Sequence, residues 1–465
     1  MLRIFDTSGG NGTRREFLRV GTAALGGLGL PGLLASKVSA LGRADVLRDK
    51  AVVFLNLQGG PTQFETFDPK MTAPREIRSI TGEVKTSLPG VSFGGTMPKL
   101  ARLADRMAIV RSYRHGISSH GPAAMHVMAG GNATKAAMSV LYSRVAGLTD
   151  KESGMPLSTI VMPRAVGKEY SKLYRAPDRV TQAGTISPVF KPFDPSAGGE
   201  IIDNMKLRID GSRLEDRRYL LTKLDELRRA KEKSPAFESA GRFREQAFDV
   251  LLRGTSKAFD LSDEAPAVLE RYDTGAFEPS DAVKKRNSYA KQFSPVALGR
   301  QMLMARRLCE AGCRFVTVTC GGWDMHGGGK EFTMVDGVAS LVPAVDKAVS
   351  AFIEDVERRG LSEKILLVIT GEFGRTPKIN KNGGRDHWGN LCTLAFVGGG
   401  LQMGQVIGRS DRTAGAPASE PISSSQVLAT VMHTLFDLQE VRVLPGLPNE
   451  VTTAVADGEP IRELV

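Results

Sequence analysis

The chain has 465 residues, with 62 Lys and Arg against 51 Asp and Glu, and a formal charge of +11. The charges are mixed along its length, with no basic block and no aromatic interleaving; this permits attraction to polyanions but gives no basis for nucleic-acid binding. Four cysteines (Cys309, Cys313, Cys320 and Cys392) are too few for a disulfide scaffold at this size, and Cys309 and Cys313, one helical turn apart, read as small buried apolar residues because no second thiol pair completes a metal set.

Residues 1–40 read as an export leader. Thr13-Arg14-Arg15-Glu16-Phe17-Leu18 precedes an apolar, glycine-rich run from Val20 to Leu34 and then Val38-Ser39-Ala40. A paired arginine, a modest apolar stretch and a small-residue cleavage site are the parts of a twin-arginine signal. Its glycines and Pro31 make a poor core helix, and the run is short for a membrane span. Cleavage is expected after Ala40. Residues 41–465 would then be carried by the twin-arginine translocase to the periplasm or beyond, with no integral membrane segment left.

Four short apolar runs follow with the character of buried parallel strands: Val52 to Leu57, Met107 to Val110, Phe315 to Thr319 and Ile365 to Thr370. A fifth, Thr393 to Val397, ends in Gly398-Gly399-Gly400. Continuous rather than alternating hydrophobicity means that both sheet faces are covered. Helical patterns run from Phe332 to Arg359 and from Val427 to Leu438, the latter after serine caps near Ser424. This alternation predicts an α/β sandwich with a mainly parallel sheet. A loop-rich and then helical insertion is expected at about 165–300. Within it, Ser212 and Glu215 form a capping box, and Leu214, Leu221, Leu224 and Leu227 make one apolar stripe.

Each strand runs straight into an unusual polar or glycine-rich segment. Gln58-Gly59-Gly60-Pro61-Thr62 follows the first, and His115, Ser118, Ser119 and His120 follow the second. Gly321-Gly322-Trp323-Asp324-Met325-His326 follows the third. Gly371-Glu372-Phe373-Gly374-Arg375 and then Arg385-Asp386-His387 follow the fourth. In open parallel sheets, ligands bind at the carboxyl ends of strands. Asp324, His326 and His387 are the donor types that hold zinc or manganese, with room for water or substrate. Glu372 is expected to join them as a ligand or to stand behind them, and Asp386 to hold His387 by its other nitrogen. The fork of Arg375 suits an oxyanion or, equally, a salt bridge to Asp386 or Glu372. Pro122 suits a first helical turn, so Ser119 or His120 would stand at a helix N-terminus, either activated there or, for Ser119, simply capping it.

These residues resemble the alkaline-phosphatase and sulfatase superfamily. More closely, the chain is similar to the exported family catalogued as domain of unknown function 1501. The most specific stretch runs from Met304-Ala305-Arg306-Arg307-Leu308 to Gly321-Gly322-Trp323-Asp324-Met325-His326, supported by Gly371 to Pro377, Gly384 to Trp388, Gly59-Gly60-Pro61 and Phe67-Asp68-Pro69-Lys70. The resemblance implies a three-layer alkaline-phosphatase-like sandwich with a divalent metal at the strand ends. It also carries departures. Ile369-Thr370-Gly371-Glu372-Phe373-Gly374 is similar to the superfamily's strand ending in Asp-His-Gly, with Glu372 for Asp and Phe373 for His. The nucleophile's place falls on His120, with Ser119 beside it. No cysteine begins a Cys-x-Pro-x-Arg run, so a formylglycine sulfatase is not expected. One metal site is thus retained and the second altered.

Two functions follow as expectations. One is a metal-dependent hydrolase of phosphate or sulfate esters, on a small-molecule or polysaccharide substrate, with Arg375 offsetting charge and Ser119 or Thr62 as candidate nucleophiles. The other is an exported protein that binds anionic polysaccharide without turnover. Replacing Arg14 and Arg15 together with lysine should leave the precursor uncleaved in the cytoplasm, because the pair is read by a receptor. Cell fractionation checks this, and normal processing in cells lacking the twin-arginine translocase would oppose it.

Overall fold

The computed structural model describes residues 46–173, 177–196, 216, 219, 255–287, 290–329 and 331–465. The leader, the capping box at Ser212 and Glu215 and the leucine stripe after it lie outside the described residues.

The main sheet has seven strands: β1 (Ala51–Gln58), β4 (Met107–Val110), β5 (Ser158–Val161), β6 (Phe315–Gly321), β7 (Ile365–Thr370), β10 (Leu394–Gly398) and β11 (Gln405–Ile407). Two-stranded ribbons, β2 (Glu83–Lys85) with β3 (Ser92–Gly94) and β8 (Gly374–Arg375) with β9 (His387–Trp388), lie outside it. The order across the main sheet is β11-β4-β10-β7-β1-β6-β5. Every residue of β1, β6 and β7 is buried, as expected of central strands covered on both faces.

The predicted runs lie within a residue or two of the observed strands, but β10 runs antiparallel to both of its neighbours. A run that is apolar on both faces carries no sign of its direction, which the pairing alone decides. The consequence is useful. Leu394, the first residue of β10, pairs with Thr370 and with Val110, so the start of this strand sits beside the ends of β7 and β4. Two edge strands, β5 and β11, were not among the predicted runs: β5 opens on the polar pair Ser158-Thr159, and β11 has only three residues.

Side chains alternate between two cores. Val53, Leu55 and Leu57 face one, with residues from the helices Pro295–Glu310 and Met334–Arg358. Val52 and Phe54 face the other, with residues from His120–Ala129, Met138–Ala146 and Ser424–Leu435. The result is a helix–sheet–helix sandwich with a mainly parallel sheet. Two helix starts are closed by capping boxes, Thr333 with Asp336 and Ser423 with Gln426, each satisfying two otherwise unpaired groups. Within the stretch read as an insertion, the described residues form short helical turns and the helices Pro266–Tyr272 and Asp281–Arg286. No helix among the described residues is long and apolar enough to cross a membrane.

The two long helices are tied together by a buried ion cluster. Arg306, its side chain 2% exposed, lies 3.0 Å from Asp355, 2.9 Å from Glu264 and 2.6 Å from Glu310. Removing one partner of such a cluster leaves charge buried without compensation. Arg306→Ala should therefore cost about 3–5 kcal/mol. Arg359→Ala, at the more exposed rim of the same cluster, should cost no more than about 1 kcal/mol. Denaturant titration of the two variants checks the contrast.

Candidate metal centre

The register of the central strands builds the site. Asn56 of β1 pairs with Thr319 of β6 and Thr370 of β7, so the loops after all three leave from one edge. The loop after β6 carries Asp324 and His326. The loop after β7 carries Glu372 and then β8, which pairs with β9 so that Arg375 lies opposite His387. The loop after β4 ends in the helix His120–Ala129, whose first residue is His120.

Two glycines allow the close approach. Gly59, at φ +115°, has no room for a Cβ, which would stand 2.5 Å from the Asp324 amide nitrogen. A Cβ on Gly384 would overlap the His326 carbonyl.

Three imidazoles converge on Asp324. His326 Nε2 lies 2.9 Å and His387 Nε2 3.1 Å from its Oδ1, and His120 Nε2 lies 3.1 Å from its Oδ2. One ligand atom from each of His120, Asp324, His326 and His387 lies within 4.8 Å of the others. The opposite nitrogen of each ring is held from behind. His120 Nδ1 meets Glu372 Oε1 at 2.8 Å, His326 Nδ1 meets Asp386 Oδ1 at 3.0 Å, and His387 Nδ1 meets the Ser118 carbonyl at 3.1 Å.

This arrangement tests whether the residues fit a metal. A carbonyl oxygen only accepts, so His387 Nδ1 must carry the proton. If His326 Nδ1 likewise donates to Asp386, both neutral rings turn lone pairs inward. His326 Nε2 and His387 Nε2 are 2.8 Å apart, and two lone pairs at that separation repel unless a proton or a cation lies between them. Inward lone pairs, an inward carboxylate and a hydrogen-bond acceptor behind each ring are the features of a divalent-cation site. The residues fit.

The same carboxylates that would face a cation also attract protons to the rings, and a bound cation would have to displace them. Burial would raise the Asp324 carboxyl, but hydrogen bonds from His120, His326 and His387 and the charge of Arg375 hold it far below the usual carboxylate range. For His120, burial opposes protonation, yet its bonds to Asp324 and Glu372 push it up to about 9. His326 is raised, first by its bond to Asp324. His115 behaves in the opposite way: burial, with His126 nearby, pushes it down to about 4. Its Nε2 meets the Glu372 carbonyl at 2.8 Å, which fixes that residue from the far side.

Asp324, His326 and His387 thus stand together, Glu372 takes the second of its two expected places, and His120, Arg375 and Asp386 meet partners other than those the sequence suggests. His120, the first residue of its helix, is among the candidate ligands. Glu372 stands behind it, accepting from His120 and, with both oxygens at 2.9 Å, from the Gly59 amide. Arg375 is fully buried and turned inward. Its Nη2 donates to Asp324 Oδ1 at 2.7 Å and to the carbonyls of Trp323 and Gly59, its Nε to the Gly60 carbonyl and its Nη1 to the Arg385 carbonyl. Its salt bridge is to Asp324, not to Asp386 or Glu372, and its guanidinium offers no face to an oxyanion. Asp386 holds His326 rather than His387.

Thr62 is fully buried, and its hydroxyl has no hydrogen-bond partner. Ser119 is exposed at the N-cap and makes no side-chain bond to the first turn. Phe373 packs its ring against His120 and His387, with centroids 5.1 and 4.4 Å away. Sequence reasoning placed Ser118 in the loop after β4 but assigned it no role; it holds His387 through its carbonyl and the Gly389 amide through its hydroxyl at 2.8 Å. Backbone roles of this kind leave no mark in residue type.

Residues 49–465 match the family described as "Protein of unknown function (DUF1501)", and the chain belongs to it. No curated protein matches. Among solved structures, the chain is similar to Ps i-CgsB in complex with k-i-k-neocarrahexaose, at 10% identity and a TM-score of 0.39, covering 83% of this chain and 72% of that one. It is also similar to the PsFucS1 sulfatase from Pseudoalteromonas sp., at 11% identity and a TM-score of 0.37, covering 92% and 77%. A third likeness is to the lipoteichoic acid synthase LtaP from Listeria monocytogenes, at 9% identity and a TM-score of 0.29, covering 91% and 82%. Likeness at this level establishes neither activity nor substrate.

Glu372→Gln should weaken divalent-metal binding by about 10–100-fold, the usual effect of disturbing the group behind a ligating histidine. An amide can still accept from His120, but its NH2 then faces the Gly59 N–H. Competition with a chromogenic chelator, with circular dichroism to check the fold, measures the change.

Proposed function

We propose that this DUF1501 protein is an exported, metal-dependent hydrolase of phosphate or sulfate esters. The observation that carries the reading is the convergence of three ring nitrogens and one carboxylate at the strand ends, each ring held from behind. A divalent cation bound there would polarise the ester oxygen and lower the pKa of bound water.

The chain's own groups supply the rest. Glu372, Asp386 and the Ser118 carbonyl orient the rings, and Arg375 holds Asp324 in place. Within the helix His120–Ala129, the first intrahelical bond runs from the Ala123 amide to the Ser119 carbonyl at 2.9 Å. The amides of His120 and Gly121 precede it and suit an oxyanion at a helix N-terminus. Ser119 precedes them and is the exposed hydroxyl candidate for a covalent step. Thr62, buried, is not. On this reading the substrate is a small or polysaccharide ester met in the periplasm or outside the cell, after delivery by the twin-arginine translocase.

A second reading, binding of an anionic polysaccharide without turnover, is favoured by one observation. Arg375 and Thr62, two of the groups assigned chemistry from sequence, both face inward.

Turnover of 4-nitrophenyl phosphate and 4-nitrophenyl sulfate by metal-loaded protein separates the two readings. Asp324→Ala and His326→Ala should lower metal content and turnover together. Ser119→Ala should keep the metal and lose most of the turnover. With no side-chain cap bond to break, that variant should cost less than about 1 kcal/mol of stability, so lost turnover would not reflect lost fold. Thr62→Val should leave metal and turnover intact and match or exceed wild-type stability, since it removes a buried hydroxyl without a partner. Bound metal with no turnover of either ester would establish the binding reading instead.

A further inference from the structure

Three loops on the β8–β9 side of the cleft pack against one another although they lie far apart in the chain: residues 74–81, 376–385 and 409–416. The Ile379 amide donates to the Glu76 carbonyl at 2.9 Å, and Arg385 Nη2 donates to the Ile77 carbonyl at 2.8 Å. Trp388 Nε1 donates to the Gly415 carbonyl at 2.6 Å, and a Cβ on Gly415 would lie 3.1 Å from the Pro377 ring. The set adjoins the candidate centre. Asn380 Nδ2 donates to the His326 carbonyl and to Asp386 Oδ1, both at 3.1 Å, and Trp388 follows His387 on β9.

Charge sets these loops apart. Besides the buried Arg385 they carry Arg75, Arg78, Lys378, Lys381, Arg409 and Arg412, all exposed or half-buried, against two carboxylates, Glu76 and Asp411. Asp411 is occupied within its own loop, its Oδ1 accepting from the Thr413 and Gly415 amides at 2.8 and 2.9 Å. None of the six cations has an ion pair or a side-chain hydrogen bond among the described residues. By contrast, Arg306, Arg307, Arg358 and Arg359, on or beside the long helices, each meet a carboxylate. Unpaired charges of one sign beside a cleft concentrate ions of the other, and guanidinium forks match sulfate and phosphate oxygens. The loops contain no aromatic residue on which a nucleobase would stack. Ile80 is the one large apolar side chain they expose, which gives no apolar face to enter a lipid surface. A hydroxylated chain with repeated anionic groups matches what they offer.

We propose that loops 74–81, 376–385 and 409–416 form an extended binding surface for a polysaccharide bearing sulfate or phosphate groups, with one charged unit in the strand-end cleft and the following units along these cations. This rests on the reading of the cleft as a site for such esters. It adds where the rest of a long substrate lies and which residues hold it. The surface is separate from the chemistry, because none of the six cations is bonded to His120, Asp324, His326 or His387.

The test titrates the purified protein with dextran sulfate at low salt, with uncharged dextran and a single-stranded oligodeoxynucleotide in parallel. Dextran sulfate should bind the most tightly of the three, and less so as salt screens the charges. Arg75→Gln, Lys378→Gln, Lys381→Gln and Arg412→Gln combined should weaken that binding at least about tenfold. The same loss of charge away from the loops, in Lys99→Gln, Arg102→Gln, Lys347→Gln and Arg462→Gln combined, should change it less than about threefold. Turnover of the 4-nitrophenyl esters should be the same in both variants, because esters of that size reach the strand ends without these loops. Circular dichroism checks the fold, and Lys378→Gln with Lys381→Gln alone replaces the fourfold variant if that one fails to fold. Equal weakening in the two fourfold variants would overturn the surface by reducing it to net charge. So would the absence of dextran sulfate binding, or binding of the oligonucleotide or plain dextran just as tight. Ester turnover without dextran sulfate binding would remove this surface and leave the hydrolase reading. Binding lost only in the loop variant, with no turnover of either ester, would keep the surface and remove the hydrolase.

Discussion

One buried guanidinium holds the strand ends together. Arg375 donates to carbonyls of Gly59 and Gly60 after β1, Trp323 after β6 and Arg385 before β9, and its remaining strong contact is the Asp324 carboxylate. Its own backbone amide donates to Gln63 Oε1 at 2.9 Å, and Gln63 Nε2 returns a bond to the Arg375 carbonyl at 2.8 Å. A lysine has neither the reach in several directions nor the planar fork to satisfy such a ring of acceptors. Burying a charge is tolerable only when it is paired and hydrogen-bonded, and here the pair is the carboxylate on which the imidazoles converge. The stability of the loop junction and the placement of Asp324 are therefore one requirement.

The imidazoles lie between carboxylates at graded depth. Glu372 is buried behind His120, Asp324 is partly open at the centre, and Asp386 is exposed behind His326. Each ring thus has an acceptor on both sides, which orients it before any ligand arrives. Phe373 closes the floor beneath two of the rings and is itself fully buried. Histidine at that position would bring a donor to the floor, and phenylalanine brings dispersion contact only.

The sheet explains why the loops can meet. β1, β6 and β7 end in register, and β10, running against them, begins at the same edge. Thr370 is tied to that beginning, its hydroxyl donating to the Thr393 carbonyl at 2.7 Å. Both faces of the sheet are covered by helices, so the strand ends are the open places where polar side chains can gather. The ion cluster around Arg306 fixes two covering helices to one another on one face, away from the cleft. It contributes to holding the platform on which the loops stand.

The sequence by itself determined the layers and the edge. Runs such as Ile365 to Thr370 are apolar throughout, and only a strand covered on both faces tolerates that pattern. The polar residues that follow each run could belong only to the loops at one end, which is why Asp324, His326 and His387 could be named together. Pairing decided the rest. The direction of β10 depends on neighbours that its own residues do not encode. Of the two places open to Glu372 the fold chose the one behind the rings, and His120 joined the candidate ligands, because a carboxylate two residues after a strand end can point to the strand-end site or to the ring behind it, and the Gly59 amide settles which. Arg375 turned inward for the same reason: several carbonyls, distant in sequence, meet at one point and need a donor there. Residue type shows what chemistry a side chain can do. Which group it meets is set by contacts between segments hundreds of residues apart, and these exist only in the folded chain.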